Sequence, residues 1–364
     1  MIQTEEKDLP THTHSISKKQ LIIKSSLLSL PIVIVMLLIT AIIFANYKFN
    51  DFVNHAQISK PEFKQTITEG WQLTPMTTQD RKNFLILGLD ALETRGESMP
   101  LADSLMLVSL NLKSGKITTL PLPRDLWSEE YKTRINALYT YGLDRYPDQP
   151  ENFPQEVIAE MIGLPIHHTI IISMENVSQL IDLAGGVTID VNQGFMDKEF
   201  PRTDVDVTTQ TDPEKLYETI EFKAGEQTMD GQTALKYMRS RHGDNDQNTD
   251  DSRSLRQQVV IRSLATKLIN KDLLLDTKRI GQLYRYYLDN FTQQFAITEA
   301  IATAKAIFPL RNQIELNNAS LSIYPADPLG TIEHPPQYLY DGQWIYLIKD
   351  EAEFKSNIQN QLTR

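Results

Sequence analysis

Three strand-length apolar runs in quick succession, each ending in charge, constrain this chain more than any other feature. Phe84 to Asp90 (FLILGLD) and Ser104 to Leu110 (SLMLVSL) are short and almost continuously apolar, as buried strands are. Lys116 to Leu122 (KITTLPL) alternates more and leads into Pro123, Arg124 and Asp125. The intervening Asn-Leu-Lys-Ser-Gly is a turn of hairpin length with Gly115 available for a positive φ, so the second and third runs form an antiparallel ribbon. Adjacent strands then bring Asp90, Asp103, Arg124 and Asp125 to one sheet edge. Carboxylates and an arginine gathered there suggest a divalent cation holding a phosphate.

The remaining chemistry is narrowed by what the chain lacks. With no cysteine among 364 residues, disulfides, thiolate metal sites and cysteine nucleophiles are excluded. A formal charge of −11 argues against a general nucleic-acid binder, so an anionic ligand must meet a local basic cluster. There is no P-loop, HExxH or GxSxG motif. His12, His14, His167, His168, His242 and His334 are scattered, and none is assigned a metal.

Residues 25–45 carry no charge and are long enough to cross roughly 30 Å of hydrocarbon as a helix. Lys18, Lys19 and Lys24 precede this run, whereas Lys48 beyond it is offset by Asp51, which places the N-terminus in the cytoplasm and the rest outside. The expected organisation is a cytoplasmic tail (1–24), a transmembrane helix (25–45), a polar stalk or peripheral segment (46–81), an extracytoplasmic domain (82–350) and a C-terminal helix or tail (351–364). A single-pass protein of the cell membrane follows.

Helices are expected at 152–161, from Met174 to the Gly185-Gly186 stop, after an Asp230 cap, at 254–270, 273–291 and 298–306, and from Glu351. Strands are expected at His167 to Met174 and in VTIDV (Val187 to Val191). The polar stretch 193–223 reads as a surface loop. Leu255, Val259, Ile261, Leu264 and Leu268 mark an amphipathic face on the helix 254–270. Strands and helices alternate, which gives an α/β or α+β class with helices on both faces of a mixed sheet.

A second charge concentration, Tyr237 to Gln258 (YMRSRHGDNDQNTDDSRSLRQQ), holds Arg239, Arg241, Asp250, Arg253, Arg256 and Gln257. Its plainest reading is a solvated loop of mutually neutralising charge. Taken with the first constellation, however, it resembles the LytR-CpsA-Psr family, membrane-anchored ligases that attach glycopolymers to the bacterial cell wall. The ordered motifs are GLD (88–90), ADSLMLVSLN (102–111), LPRD (122–125), RINALYTYG (134–142), GGVTIDV (185–191), ALKYMRSR, DDSRSLRQQ and the ending LYDGQWIYLIKD.

That resemblance implies a three-layer αβα sandwich around a mixed, largely antiparallel sheet, with one N-terminal transmembrane helix and a channel for a polyprenyl pyrophosphate. By position, Asp90 and Asp103 would hold Mg²⁺. Arg124, Arg134, Arg239, Arg241, Arg253 and Gln257 would grip the pyrophosphate, and Asp125 would orient Arg124. The catalytic set is Arg124, Asp125 and Asp250, with Asp125 or Asp250 as base for the acceptor hydroxyl. Arg256, about 100° further round a helix than Gln257, is expected to matter less. Arg134 stands where the family has lysine, and Leu101 where it often has arginine; Arg95 is the candidate replacement. The implied activity is Mg²⁺-dependent phosphotransfer of a glycopolymer from a polyprenyl-pyrophosphate carrier to a peptidoglycan acceptor. The alternatives are a non-catalytic lipid-pyrophosphate-binding or regulatory protein, and a polyprenyl-pyrophosphate pyrophosphatase. No nucleic-acid partner is implied.

Overall fold

A computed structural model describes residues 36, 40–89, 100–202, 205 and 212–363, and it divides into two units, Met1–Phe52 and Val53–Arg364. In the first, residues 36 and 40–52 are helical (α1). The expected tail 1–24 and most of the expected span 25–45 lie outside the described residues, among which no helix is long and apolar enough to cross a membrane.

In chain order the second unit holds α2 (Lys60–Gln72), β1 (Arg81–Leu89), β2 (Ala102–Asn111), β3 (Lys116–Leu122), β4 (Trp127–Ser128), β5 (Thr133–Arg134), α3 (Leu138–Arg145), α4 (Asn152–Ile162), β6 (His168–Ser173), α5 (Met174–Ala184) and β7 (Val187–Val191). There follow β8 (Phe195–Pro201), α6 (Pro213–Leu216), β9 (Tyr217–Phe222), β10 (Gly225–Met229), α7 (Gly231–Arg239), α8 (Asp250–Leu268), α9 (Lys271–Leu275), α10 (Thr277–Asn290) and α11 (Ile297–Ile307). The chain ends with β11 (Glu315–Asn318), β12 (Ile323–Tyr324), β13 (Ile332–Glu333), β14 (Leu347–Ile348) and α12 (Glu351–Thr363).

The central sheet has the order β11-β3-β2-β1-β6. The β2–β3 hairpin forms as its turn chemistry requires: Gly115 takes φ 80°, and the Asn111 side chain accepts from the amides of Lys113 and Ser114. Within this sheet β1/β2 and β2/β3 are antiparallel while β1/β6 and β3/β11 are parallel, so antiparallel pairing prevails only once the small outlying sheets are included.

The two faces of the sheet are filled differently. Leu85, Leu87, Leu89, Leu105, Leu107, Leu120 and Leu122 are buried beneath Phe153, Val157 and Ile158 of α4 and Phe354, Ile358 and Leu362 of α12. On the other face Phe84, Ile86, Met106, Val108, Ile170 and Ile172 are only half-buried. Register puts them in rows, with Ile86 beside Met106 and Ile170, and Gly88 beside Ser104 and Ile172. An apolar strip therefore runs along the sheet towards the C-terminal end of β1.

The opposite end of that strip is closed by polar and aromatic groups. Lys82, wholly buried, is ion-paired with Glu299 of α11, whose carboxylate also accepts from the Met76 amide at 2.8 Å. The His168 ring lies against Phe84 and Phe295. The His167 ring nitrogen accepts from the Asn83 amide, which supports the structural reading of this histidine pair. Burial acts to raise the Glu299 carboxyl, but the bonds from Lys82 and Met76 outweigh it and hold the group low.

A second core lies under α5, α7 and α8, and here the stretch 193–223, expected as a loop, carries the paired strands β8 and β9 among its described residues. Phe195, Phe200, Ile220 and Phe222 of β8 and β9 enter this core, because polar residues between them conceal their alternation in the sequence. The expected helix 273–291 is two helices, α9 and α10, parted where Asp276 caps the second by accepting from Arg279. On α8 the apolar positions do not form one buried face: Val260 and Leu264 are buried, whereas Leu255, Val259 and Ile261 are exposed.

Replacing Lys82 by methionine strands a buried carboxylate, and should cost about 3–5 kcal/mol in urea unfolding. The Lys82→Met/Glu299→Leu double variant should recover most of that loss. His168 is held down to about 4 by burial and by the nearby Lys82 charge, against 6.5 ordinarily. Its contribution is thus present above pH 6.5 and is lost as the unfolded chain takes up a proton on falling towards pH 4. Stability measured over that interval should fall, and His168→Phe should flatten the slope.

Candidate active site

The charged site stands at the C-terminal end of β1, where β2 begins and β3 ends. Gly88 pairs with Ser104 and Leu89 with Ala102, so Asp103 is the extra residue of a β-bulge. Such a bulge re-aims a side chain, and Asp103 here receives Arg124 from beyond β3, with Nη1 donating to Oδ1 at 2.6 Å. Arg124 Nε lies 3.6 Å from Asp125 Oδ2, while Asp125 Oδ1 accepts from Arg134 Nη1 at 3.0 Å. Acid and base alternate along the chain Asp103–Arg124–Asp125–Arg134.

Local backbone explains how Arg134 arrives. Trp127 of β4 pairs with Arg134 of β5, and the Ile135 and Asn136 amides donate to the carbonyls of Leu126 and Arg124. The LPRD and RINALYTYG motifs are thereby closed into one loop. Both arginines keep about a third of their side-chain surface open, whereas Asp125 is only 16% exposed. With one oxygen on Arg134 and the other beside Arg124, Asp125 is placed to orient two guanidinium groups.

On the far side of β1, Ser173 ends β6 next to Leu89 and caps α5, its side chain accepting from the Asn176 amide. The first turn of α5 carries Glu175, which binds Arg239 Nη2 at 2.6 Å. Helices α5 and α7 meet closely because Gly231 lies against Ser178, where a Cβ would come 2.1 Å from the carbonyl oxygen, and its amide donates to Asp182. Asp230 caps α7 as expected, accepting from the Thr233 amide. Arg239 is consequently delivered to the same end of the sheet as Arg124. Three strand spacings separate β3 from β6, roughly 14 Å, with Asp103 between them.

The stretch after α7 is an anchored turn and not a solvated run of charge. Asp197 of β8, wholly buried, accepts from the Ser240 hydroxyl and from the amides of Glu199, Arg241 and His242. Arg256, 3% exposed, donates to the carbonyls of Tyr237, Ser240 and Gln247 and to the Gln247 side chain, and stacks over Phe195. Burial lowers its guanidinium from the usual arginine range. Arg256 thus points away from solvent into the second core, where it has a structural task that its place beside Gln257 did not announce: it pins the turn that bears Arg239 and Arg241.

The other expected residues are placed as follows. Arg241 is exposed and makes no side-chain ion pair among the described residues. Arg253 and Gln257, in the first turns of α8, are half-buried beside Arg256. Asp250 is the first residue of α8, after a reciprocal Thr249–Ser252 cap, but its side chain is outside what the structure describes. Asp90 and Arg95 lie outside the described residues, and Leu101 is exposed. Glu175 and Asp197 are absent from the expected set; Glu175, just after a strand and a serine cap, was the one with a local signal.

Asp103 is the described residue able to hold a cation: its Oδ1 is taken by Arg124, and Oδ2 has no partner among the described residues. Among those residues no three acidic or histidine side chains form a metal cluster. One carboxylate, supplemented by ligand phosphate oxygens and water, nevertheless fits the demands of Mg²⁺.

The family model described as the LytR_cpsA_psr family matches residues 44–352. The curated polyisoprenyl-teichoic acid--peptidoglycan teichoic acid transferase TagV of Bacillus subtilis (strain 168) is 27% identical over 60% of this chain and 51% of its own length. The corresponding transferase TagU of Bacillus mycoides (strain KBAB4) is 25% identical over 84% of this chain and 86% of its own. The chain thus spans about half the length of the first of these relatives. The crystal structure of B. subtilis TagV is similar in fold, with a TM-score of 0.52 at 20% identity over 79% of this chain and 99% of that one.

Arg256→Lys, which cannot reproduce the forked contacts to several carbonyls, should lower stability by about 3 kcal/mol. Arg241→Lys, exposed, should leave the melting temperature unchanged. Thermal unfolding of the two variants side by side checks the contrast.

Proposed function

The chain belongs to the LytR-CpsA-Psr family, and from that premise we propose that it is a phosphotransferase moving a glycopolymer from a polyprenyl-pyrophosphate carrier to a hydroxyl of peptidoglycan. The observation carrying this reading is the Asp103–Arg124–Asp125–Arg134 chain at the strand ends, beside the half-covered apolar strip of the sheet. A pyrophosphate bearing a long prenyl tail asks for that combination. Its charge needs planar donors, and its tail needs apolar surface beside them. The names of the relatives, polyisoprenyl-teichoic acid--peptidoglycan teichoic acid transferases, support the class of donor and acceptor.

In this reading Arg124 and Arg134 face the pyrophosphate, each pre-set by a carboxylate so that little reorganisation accompanies reaction. Arg239, fixed by Glu175, and Arg241 approach from the β6 side. The acceptor oxygen attacks the phosphorus that carries the glycan, a new P–O bond forms, and the bond to the lipid phosphate breaks. Prenyl monophosphate leaves with the electron pair, and the arginines neutralise the charge that grows on it. Because both Asp125 oxygens face arginines, the hydroxyl proton falls to Asp250. Asp103 would hold Mg²⁺ together with Asp90, and the ion would supply further neutralisation of phosphate charge. An N-terminal membrane anchor at 25–45, with the catalytic unit outside the cell membrane, belongs to the same proposal.

The test uses the full chain in detergent with a short prenyl-pyrophosphate-linked disaccharide and a glycan acceptor, following the phosphodiester product and prenyl monophosphate together. Arg124→Lys and Asp103→Ala should each lower transfer about 10²-fold with unfolding unchanged. Wild-type rates in both would remove this cluster from the reaction. Release of free sugar phosphate without product would identify a pyrophosphatase, and saturable binding without turnover a non-catalytic protein.

A further inference from the structure

Beside the charged site is an open cleft of about 550 Å³ whose lining includes Trp127, Glu129, Lys132, Tyr340, Asp341 and Gln343. It joins the segment carrying the arginines directly. The Tyr346 amide donates to the Asp125 carbonyl at 2.9 Å, and the Trp127 amide to the Tyr346 carbonyl at 2.8 Å. Trp127 is two residues from Asp125 and pairs with Arg134 across β4 and β5. The cleft and the arginines are therefore carried by the same short stretch of backbone.

The lining has the chemistry of a saccharide site. Trp127 and Tyr340 meet edge to face with ring centroids 5.5 Å apart, and Tyr338 and Trp344, on the same segment as Tyr340, are 81% and 48% exposed. Aromatic faces suit the C–H faces of pyranose rings. Trp127 is only 9% exposed and backs the cleft, so the ring surface open to a ligand belongs to the 338–344 segment. Around the aromatics stand two carboxylates, an ammonium and an amide, a mixture of donors and acceptors that fits hydroxyl and N-acetyl groups. With Lys132 already paired to Glu129 at 2.6 Å, Asp341 leaves the rim acidic, so a phosphate-rich polymer would be repelled.

We infer that the Trp127–Tyr340 cleft is the subsite for the uncharged glycan that bears the acceptor hydroxyl. This rests on the transfer reading above and deepens it, since it assigns the acceptor a place distinct from the pyrophosphate and its apolar strip. The exposed loop 337–344 is what would read the glycan, and Asp125, through its backbone tie to Tyr346, would register glycan against arginines.

The probe is chitotetraose, a phosphate-free chain of β-1,4-linked N-acetylglucosamine, titrated calorimetrically into the full chain in detergent. Saturable binding is expected, roughly tenfold weaker in Tyr340→Ala and restored in Tyr340→Phe, which keeps the ring. Farnesyl pyrophosphate, titrated separately, should bind all three proteins equally and so report intact folding. Absence of saturable chitotetraose binding, or equal affinity in Tyr340→Ala, would overturn the assignment. Displacement of chitotetraose by a prenyl-pyrophosphate-linked sugar, but not by farnesyl pyrophosphate, would give the cleft to the donor's glycan instead. Tyr340-dependent glycan binding in a protein that fails the transfer assay would sink the transfer reading and leave the saccharide cleft standing.

Discussion

Guanidinium groups brought to one end of a sheet repel one another, and the carboxylates set against them are what the site depends on. Asp103 holds Arg124, Asp125 stands between Arg124 and Arg134, and Glu175 holds Arg239. Isolated ion pairs on a surface contribute little, but a partly buried network with fixed geometry is another matter. Each acid here comes from a different place in the fold: a bulge in β2, the segment after β3 and the first turn of α5. The site is consequently only as good as the strand register that aligns those three.

The two faces of the central sheet divide the work. The leucine-rich face under α4 and α12 is filled and supplies the hydrophobic stability. The opposite face keeps a half-buried apolar strip, closed at one end by the Lys82–Glu299 pair and the His168–Phe295 stack and ending at the other beside the charged cluster. In the proposed function this partly covered surface is what the prenyl tail would lie against. Its polar stopper is costly to bury unless complete, and the Lys82–Glu299–Met76 bonds complete it.

The second core performs a positioning task. Arg256 and Asp197 are spent entirely on the turn between α7 and α8, through carbonyl acceptors and amide donors respectively. Neither is shaped to touch a ligand. Both decide where Arg239 and Arg241 stand, so residues of opposite charge in the interior set the geometry of one almost covered arginine and one exposed arginine.

By itself the sequence determined the local elements whose signals are short in range: the three strands and the Gly115 hairpin, the Asp230 cap, the Gly185 stop and the end-of-strand positions of Asp103, Arg124 and Asp125. Hydrophobic period, turn chemistry and capping act over a few residues, and the ordered motifs added the family. Tertiary structure alone decided the rest. The β8–β9 pair was hidden because its apolar residues are spaced among acids and lysine, and only burial in the second core shows which of them alternate inward. The role of Arg256 was hidden because charge in a sequence carries no sign of depth. Its acceptors are carbonyls of residues up to nineteen positions away, and a carbonyl is the same in every residue. Likewise Glu175 and Arg239 meet across 64 residues because Gly231 lets two helices close on one another, a contact that no local pattern encodes.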